Sequence, residues 1–210
     1  MQGWPHHSGR WTHGGGPDSA FSLLEVLIVL AIILILTALY WGSITGGQHR
    51  AHMAGCQKNL QKVFIAMQIY ANDNGGKFPV VASARTSETA LDPLVPRYTA
   101  DTSIFICPGS HNLSLPAGES FANRKISYAY YMGQAAGDAQ QVLMSDRQVD
   151  TLLKPAGQTI FSTDGRAPGN NHGKAGGNFL FCDGHVDQVL PNAPFSITVT
   201  QGVVLLNPRP

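Results

Sequence analysis

The chain has 210 residues, of which 43% are hydrophobic and 13% charged, and its formal net charge is +1. That length suits one modest domain plus an anchor and excludes two large domains. A charged fraction about half the usual one, with no net field behind it, excludes nucleic acid as a partner, and Gly (23) and Pro (13) without a repeat period point to a loop-rich fold of short strands.

Residues 1–20 carry Arg10 and the amino terminus as firm positive charge, offset by Asp18. From Phe21 the chain reads FSLLEVLIVLAIILILTALYW, and as a helix rising about 1.5 Å per residue this run is roughly 30 Å long, enough to span a hydrocarbon core. Leu, Ile, Val and Ala fill all its sides, as lipid or packed neighbours require. Glu25 is out of place, since a lone carboxylate in hydrocarbon costs on the order of 3 kcal/mol. Closeness to headgroups or water is one answer; pairing with a cation during assembly is another. Arg50, Lys58 and Lys62 follow the run, so Lys/Arg counting alone does not orient it. A secretory h-region at 26–36 is the competing reading, opposed by Glu25, by the length of the run and by the lack of a small-x-small site after it.

The passage Ala20-Phe21-Ser22-Leu23-Leu24-Glu25 and the apolar run behind it resemble the processing site of type IV prepilins and type II secretion pseudopilins. The resemblance implies cleavage between Ala20 and Phe21 by a prepilin peptidase, N-methylation of Phe21 by the same machinery, and a role for Glu25, the fifth mature residue, in assembly. Ala20 stands where the family usually has Gly.

Gly42, Gly46 and Gly47 mark a soft point in the helix, each lowering helix stability by about 1 kcal/mol relative to Ala. Beyond them Leu60, Val63, Phe64, Met67 and Tyr70 recur at helical spacing, which predicts an amphipathic helix packing one face on a sheet. Asn72-Asp73-Asn74-Gly75-Gly76, with Pro79 beyond, ends it. Cys56-Gln57-Lys58-Asn59-Leu60 and Gly76-Lys77-Phe78-Pro79 resemble a passage of a large pseudopilin-like family of diderm bacteria, named for a carboxy-terminal His-x9-Asp-Gly motif; Phe105-Ile106-Cys107-Pro108 and Ser127-Tyr128-Ala129-Tyr130 fit it as well.

From 80 to 170 the chain is broken by Pro and Gly, and short strands are expected at 103–107, 125–131, 141–145 and 159–163. In the run Asn178 to Val189, Asp183-Gly184 predicts a two-residue hairpin turn with positive φ at both residues. That register places Phe181 opposite Val186 and Leu180 opposite Asp187, with Phe179, Phe181 and Val186 on one core face and Cys182 paired with His185 on the other. The resemblance assigns His172, Asp183 and Gly184 to the family motif, with ten intervening residues in place of nine.

Cys56, Cys107 and Cys182 form no Cys-x-x-Cys pair, and one must stay unpaired within the chain. Spacing leaves open which two would pair, or whether all three are buried thiols. His172, Asp183, His185 and Asp187 are ligand types without a metal spacing; Asp164 and Asp183 would be the better nucleus for a structural calcium, and otherwise no cofactor is expected. Ser162, Asp164 and His172 form a trio on paper, but no nucleophile elbow, His-Glu-x-x-His or phosphate loop accompanies them, so no enzyme is expected.

The fold class expected is α+β and pilin-like: a long amino-terminal helix, transmembrane in its first half, packed on a small antiparallel sheet with long loops. Its segments are a leader at 1–20, a membrane span at 21–41, an amphipathic continuation at 42–71 and an extracytoplasmic β-rich domain at 72–210. The resemblance implies a filament subunit of the type II secretion pseudopilin kind, single-pass in the inner membrane. Its partners would be prepilin peptidase, other pilin-like subunits and inner-membrane secretion or pilus machinery. The rival expectation is a membrane-anchored binding protein that never polymerises.

Overall fold

Leu, Ile and Ala without an interior Pro favour a long helix, and Ser22 starts it: the Ser22 hydroxyl accepts from the Leu24 backbone N–H at 3.3 Å. A computed structural model of the chain describes residues 21–121 and 124–210, the side chains of 41–46 excepted. In it helix α1 runs over Leu23–Asp73. The helix assignment is continuous through Gly42, Gly46 and Gly47, because a modest propensity cost at three positions does not outweigh the hydrogen bonds of the turns on either side. It stops where the Asn-Gly-Gly chemistry predicts. The Gly76 N–H returns to the Ala71 carbonyl at 2.8 Å, which needs the positive φ of Gly75, +65°.

The chain divides into two compact units, one ending at Ile44 and the other running from Thr45 to Pro210. In the first, Leu23–Tyr40 is apolar and long enough to cross a membrane, and none of it is buried within the protein. In the second, a five-stranded sheet follows the helix, with strands β1 (Tyr128–Met132), β2 (Val142–Asp146), β3 (Gly177–Phe181), β4 (Val186–Val189) and β5 (Val204–Leu206). Their order is β4-β3-β2-β1-β5 and every pairing is antiparallel. The fold is therefore α+β in a pilin-like arrangement, as the sequence predicts.

Both faces of the sheet are covered. Cys56, Leu60, Val63, Met67 and Ala71, at four- and three-residue steps on α1, pack with Tyr128, Tyr130, Met144, Leu180 and Val186. The opposite face carries Ala129, Tyr131, Phe179 and Phe181 under Ile160, Phe161, Ala193 and Ile197, all supplied by irregular segments. Strand β1 thus alternates its side chains between two cores.

Two expected strands are absent. Of residues 103–107, the first three lie in a 3-10 helix, Thr102–Phe105, because the Asp101 carboxylate accepts from the Ser103 N–H and caps a tight turn. Residues 159–163 contribute one isolated bridge, Thr159 to Asn192, while the Ile160 and Phe161 N–H groups both turn to the Pro191 carbonyl.

The hairpin at Asp183-Gly184 exists in another register. Leu180 pairs with Val186 and Phe179 with Asp187, and only Gly184 has positive φ, +96°. The Gly184 N–H donates to the Phe181 carbonyl, and the Phe181 N–H to the His185 carbonyl, both at 3.0 Å. This is a three-residue loop closed by glycine, not the two-residue turn. One residue of slip reverses the faces: Val186 joins Leu180 under the helix, whereas Phe179 and Phe181 face the other core. Cys182 is buried under the helix and His185 instead stacks on Phe181, with ring centroids 4.1 Å apart.

Candidate functional site

Two places concentrate residues with chemistry, one in each unit. In the first unit Phe21 is exposed, and Glu25 occupies the first turn of α1, three residues after the capping Ser22. Ser-x-x-Glu at a helix start is a capping-box pattern, and a carboxylate there is favoured by the helix dipole. Sequence reasoning about Glu25 as a misplaced charge overlooked this local role, although the pattern is legible in Ser22-Leu23-Leu24-Glu25. Ala20, on the other side of the expected cut, lies outside the described residues.

In the second unit the expected motif residues separate into two clusters. His172 is 2% exposed. Its Nε2 lies 3.2 Å from Asp146 Oδ2 and 3.4 Å from Cys107 Sγ. Asp146, the last residue of β2, is fully buried, and its carboxylate is held by amides. Asn171 Nδ2 donates to Oδ1 at 2.9 Å, and the Asn178 N–H and Nδ2 donate to Oδ2 at 2.8 and 2.9 Å. Cys107 is joined to Cys56 of α1 by a disulfide, and Cys182 is the free, buried cysteine. Burial, reinforced by the negative charges of Asp138 and Asp183, pushes the Cys182 thiol up to about 12.

The fit around His172 is close. A Cβ on Gly109 would come within 2.4 Å of the Asn171 carbonyl and 2.8 Å of His172 Nδ1, so only glycine leaves room for the ring. The same centre anchors α1 to the sheet: Asn178 Nδ2 donates to the Met53 carbonyl, and Asn59 Nδ2 to the Ile106 carbonyl beside the disulfide.

Asp183 and Gly184 work elsewhere. Asp183 accepts from the N–H and Nδ1 of its neighbour His185. That backbone N–H first, and the imidazole after it, hold its carboxyl below the ordinary carboxylate range. At Gly184 a Cβ would come within 2.4 Å of the Phe64 ring on α1. Gln57 Nε2 donates to the Val186 carbonyl close by. His172, by way of Cys107 and its disulfide to Cys56, and Gly184, against Phe64, therefore reach α1 about two turns and some 12 Å apart along the helix.

The paper trio of Ser162, Asp164 and His172 does not assemble. Ser162 donates to Asp164 at 2.8 Å, while His172 belongs to Asp146 and Cys107. The Arg166 N–H, then the Ser162 hydroxyl, hold the Asp164 carboxyl below its ordinary range. Among the described residues, the group with metal-ligand donors in convergence is Cys56, Cys107, Asp146 and His172, all buried; Asp164, Asp183, His185 and Asp187 do not join it. Sequence reasoning missed Asp146. Its one signal was a carboxylate closing the apolar strand Val-Leu-Met-Ser-Asp.

Residues 17–40 match the family model described as a prokaryotic N-terminal methylation motif. The match supports a type IV pilin-like protein. In a pilin-like protein of this kind the motif implies processing by prepilin peptidase and assembly with other pilin-like subunits. Its single apolar amino-terminal helix is consistent with membrane anchoring. No curated relative and no solved structure matched the chain.

Proposed function

We propose that the chain is a structural subunit of a pilin-like filament, of the type II secretion pseudopilin kind. The observation that carries this reading is the methylation motif at 17–40, which covers both sides of the Ala20–Phe21 junction and the apolar helix behind it. Prepilin peptidase cleaves that junction, Phe21 is methylated on its new amine, and residues 21–41 anchor the subunit in the inner membrane with the β-rich domain on the far side. Glu25 then lies four residues from a terminal ammonium, a partner that offsets the cost of a carboxylate in hydrocarbon. The apolar surface of Leu23–Tyr40, uncovered by the chain's own residues, supports stacking against the helices of other subunits.

The role is structural, and the chemistry is done to the chain at Phe21. Mass spectrometry of the mature amino terminus tests the processing: the expected start is N-methylated Phe21, and a start beyond Trp41 overturns it. Glu25→Leu tests the assembly. Membrane insertion is expected to persist while crosslinks between subunit helices disappear; undiminished crosslinks would contradict the model, and their absence in the unmodified chain would favour a non-polymerising anchored binding protein.

A further inference from the structure

The centre around His172 has more donor chemistry than a structural knot needs. Cys56, Cys107, His172 and Asp146 each offer one ligand atom, and the four atoms lie within 4.8 Å of one another. They come from α1, from the loop after the 3-10 helix Thr102–Phe105, from the loop before β3 and from the end of β2, so no local turn accounts for their convergence. All four residues are buried. Two thiols, an imidazole and a carboxylate form a zinc-type donor set, and thiolates select zinc over calcium or magnesium.

Two further observations point to a cation. Asp146 is fully buried and its hydrogen-bond partners are amides and one imidazole; a carboxylate removed from water in this way is costly unless a positive charge meets it. His172 Nε2 faces both the carboxylate and Cys107 Sγ, the placement of a ligating nitrogen between two other donors.

We propose that, when the Cys56–Cys107 disulfide is open, these four side chains bind a zinc ion, which ties α1 to the sheet at the same point as the disulfide does. In a tetrahedral zinc site adjacent ligand atoms are about 3.3 to 3.8 Å apart, given bonds of roughly 2.0 to 2.3 Å. The cluster reaches that spacing by inward shifts on the order of 1 Å once the sulfurs part. The newly made chain carries both thiols, so the metal form needs no reductant at that stage. From the oxidised chain, a phosphine or dithiol supplies two electrons, the S–S bond breaks, and two protons complete the thiols. Zinc binding then releases those two protons as the thiolates form Zn–S bonds. A disulfide oxidant reverses the sequence: it takes up the two electrons and is itself reduced to thiols, the Cys56 and Cys107 sulfurs join, and the ion leaves.

The test uses the full chain in detergent, reduced with a phosphine, and cobalt(II) as the spectroscopic stand-in for zinc. The expected result is stoichiometric cobalt with a thiolate-to-cobalt charge-transfer band in the reduced chain, lost on reoxidation and displaced by zinc. Cys182→Ser should bind as the unmodified chain does. His172→Ala and Asp146→Ala should weaken binding at least tenfold, and His172→Cys, which puts a thiolate in the same place, should recover it. No band in the reduced chain overturns the proposal, as does an undiminished band in His172→Ala, which would report thiols of an unfolded chain. Failure of His172→Cys to recover binding also overturns it, and so does a reduced chain whose circular dichroism shows unfolding with and without metal.

Discussion

The two units differ in how much of their apolar surface the chain itself satisfies. Leu23–Tyr40 covers none of it, whereas the unit from Thr45 onward buries Tyr128, Tyr130, Tyr131, Phe105, Phe121, Phe161 and Phe179 almost completely. The first depends on something outside the chain, lipid or neighbouring helices; the second carries its own core on both faces of a sheet. The apolar surface suited to membrane anchoring and the stability of the folded unit therefore rest on separate stretches of sequence. A change in one should leave the other's readout nearly untouched.

The largest expected effect breaks the molecule at that division. A chain beginning at Thr45 should lose membrane association entirely, while its melting temperature stays within about 4 °C of the full chain, the shift that roughly 1 kcal/mol gives at this size. A larger loss would mean that the apolar run stabilises the second unit. Next, Phe179→Ala should destabilise the second unit by about 4 kcal/mol by opening a cavity between β3 and the irregular layer. Urea denaturation reads this, and membrane insertion should be unchanged.

Gly184→Ala should cost about 3 kcal/mol, from a φ of +96° and a methyl placed against Phe64. A neutral result would remove the docking role given to the Asp183-Gly184 turn. The smallest effect concerns Asp183 itself. Its folded-state affinity for protons is depressed, so its contribution is present above the unfolded carboxylate range, about pH 3.9, and is lost as pH falls through the lower folded value. The melting difference between the unmodified chain and Asp183→Asn should therefore be small at neutral pH and vanish in acid.

Periodicity made much of the fold legible. The stripe at Leu60, Val63 and Met67, the Asn-Gly-Gly stop and the strands at 128–132 and 142–146 all follow from spacing and turn chemistry acting over a few residues. What failed was decided locally, by one competing hydrogen bond in one place and one backbone angle in another. Asp101 capped a 3-10 turn where a strand was expected, and an ordinary φ at Asp183 moved the hairpin by one residue and exchanged its faces. The His172 centre was half legible. Resemblance pointed to His172, but Asp146 is 26 residues away and Cys56 lies on another element, and contacts at such separations leave no period to read.

The disulfide also determines how the domain would carry a load. With Cys56 bonded to Cys107 across a separation of 51 residues, tension applied between the start of α1 and the carboxy terminus crosses from one sulfur to the other. The end of the helix, its Asn-Gly-Gly stop and the 3-10 helices Asp92–Leu94 and Thr102–Phe105 then lie on a slack loop, outside the line of force. Opening that bond puts the slack back into the path, so oxidation sets the length over which the domain can be stretched.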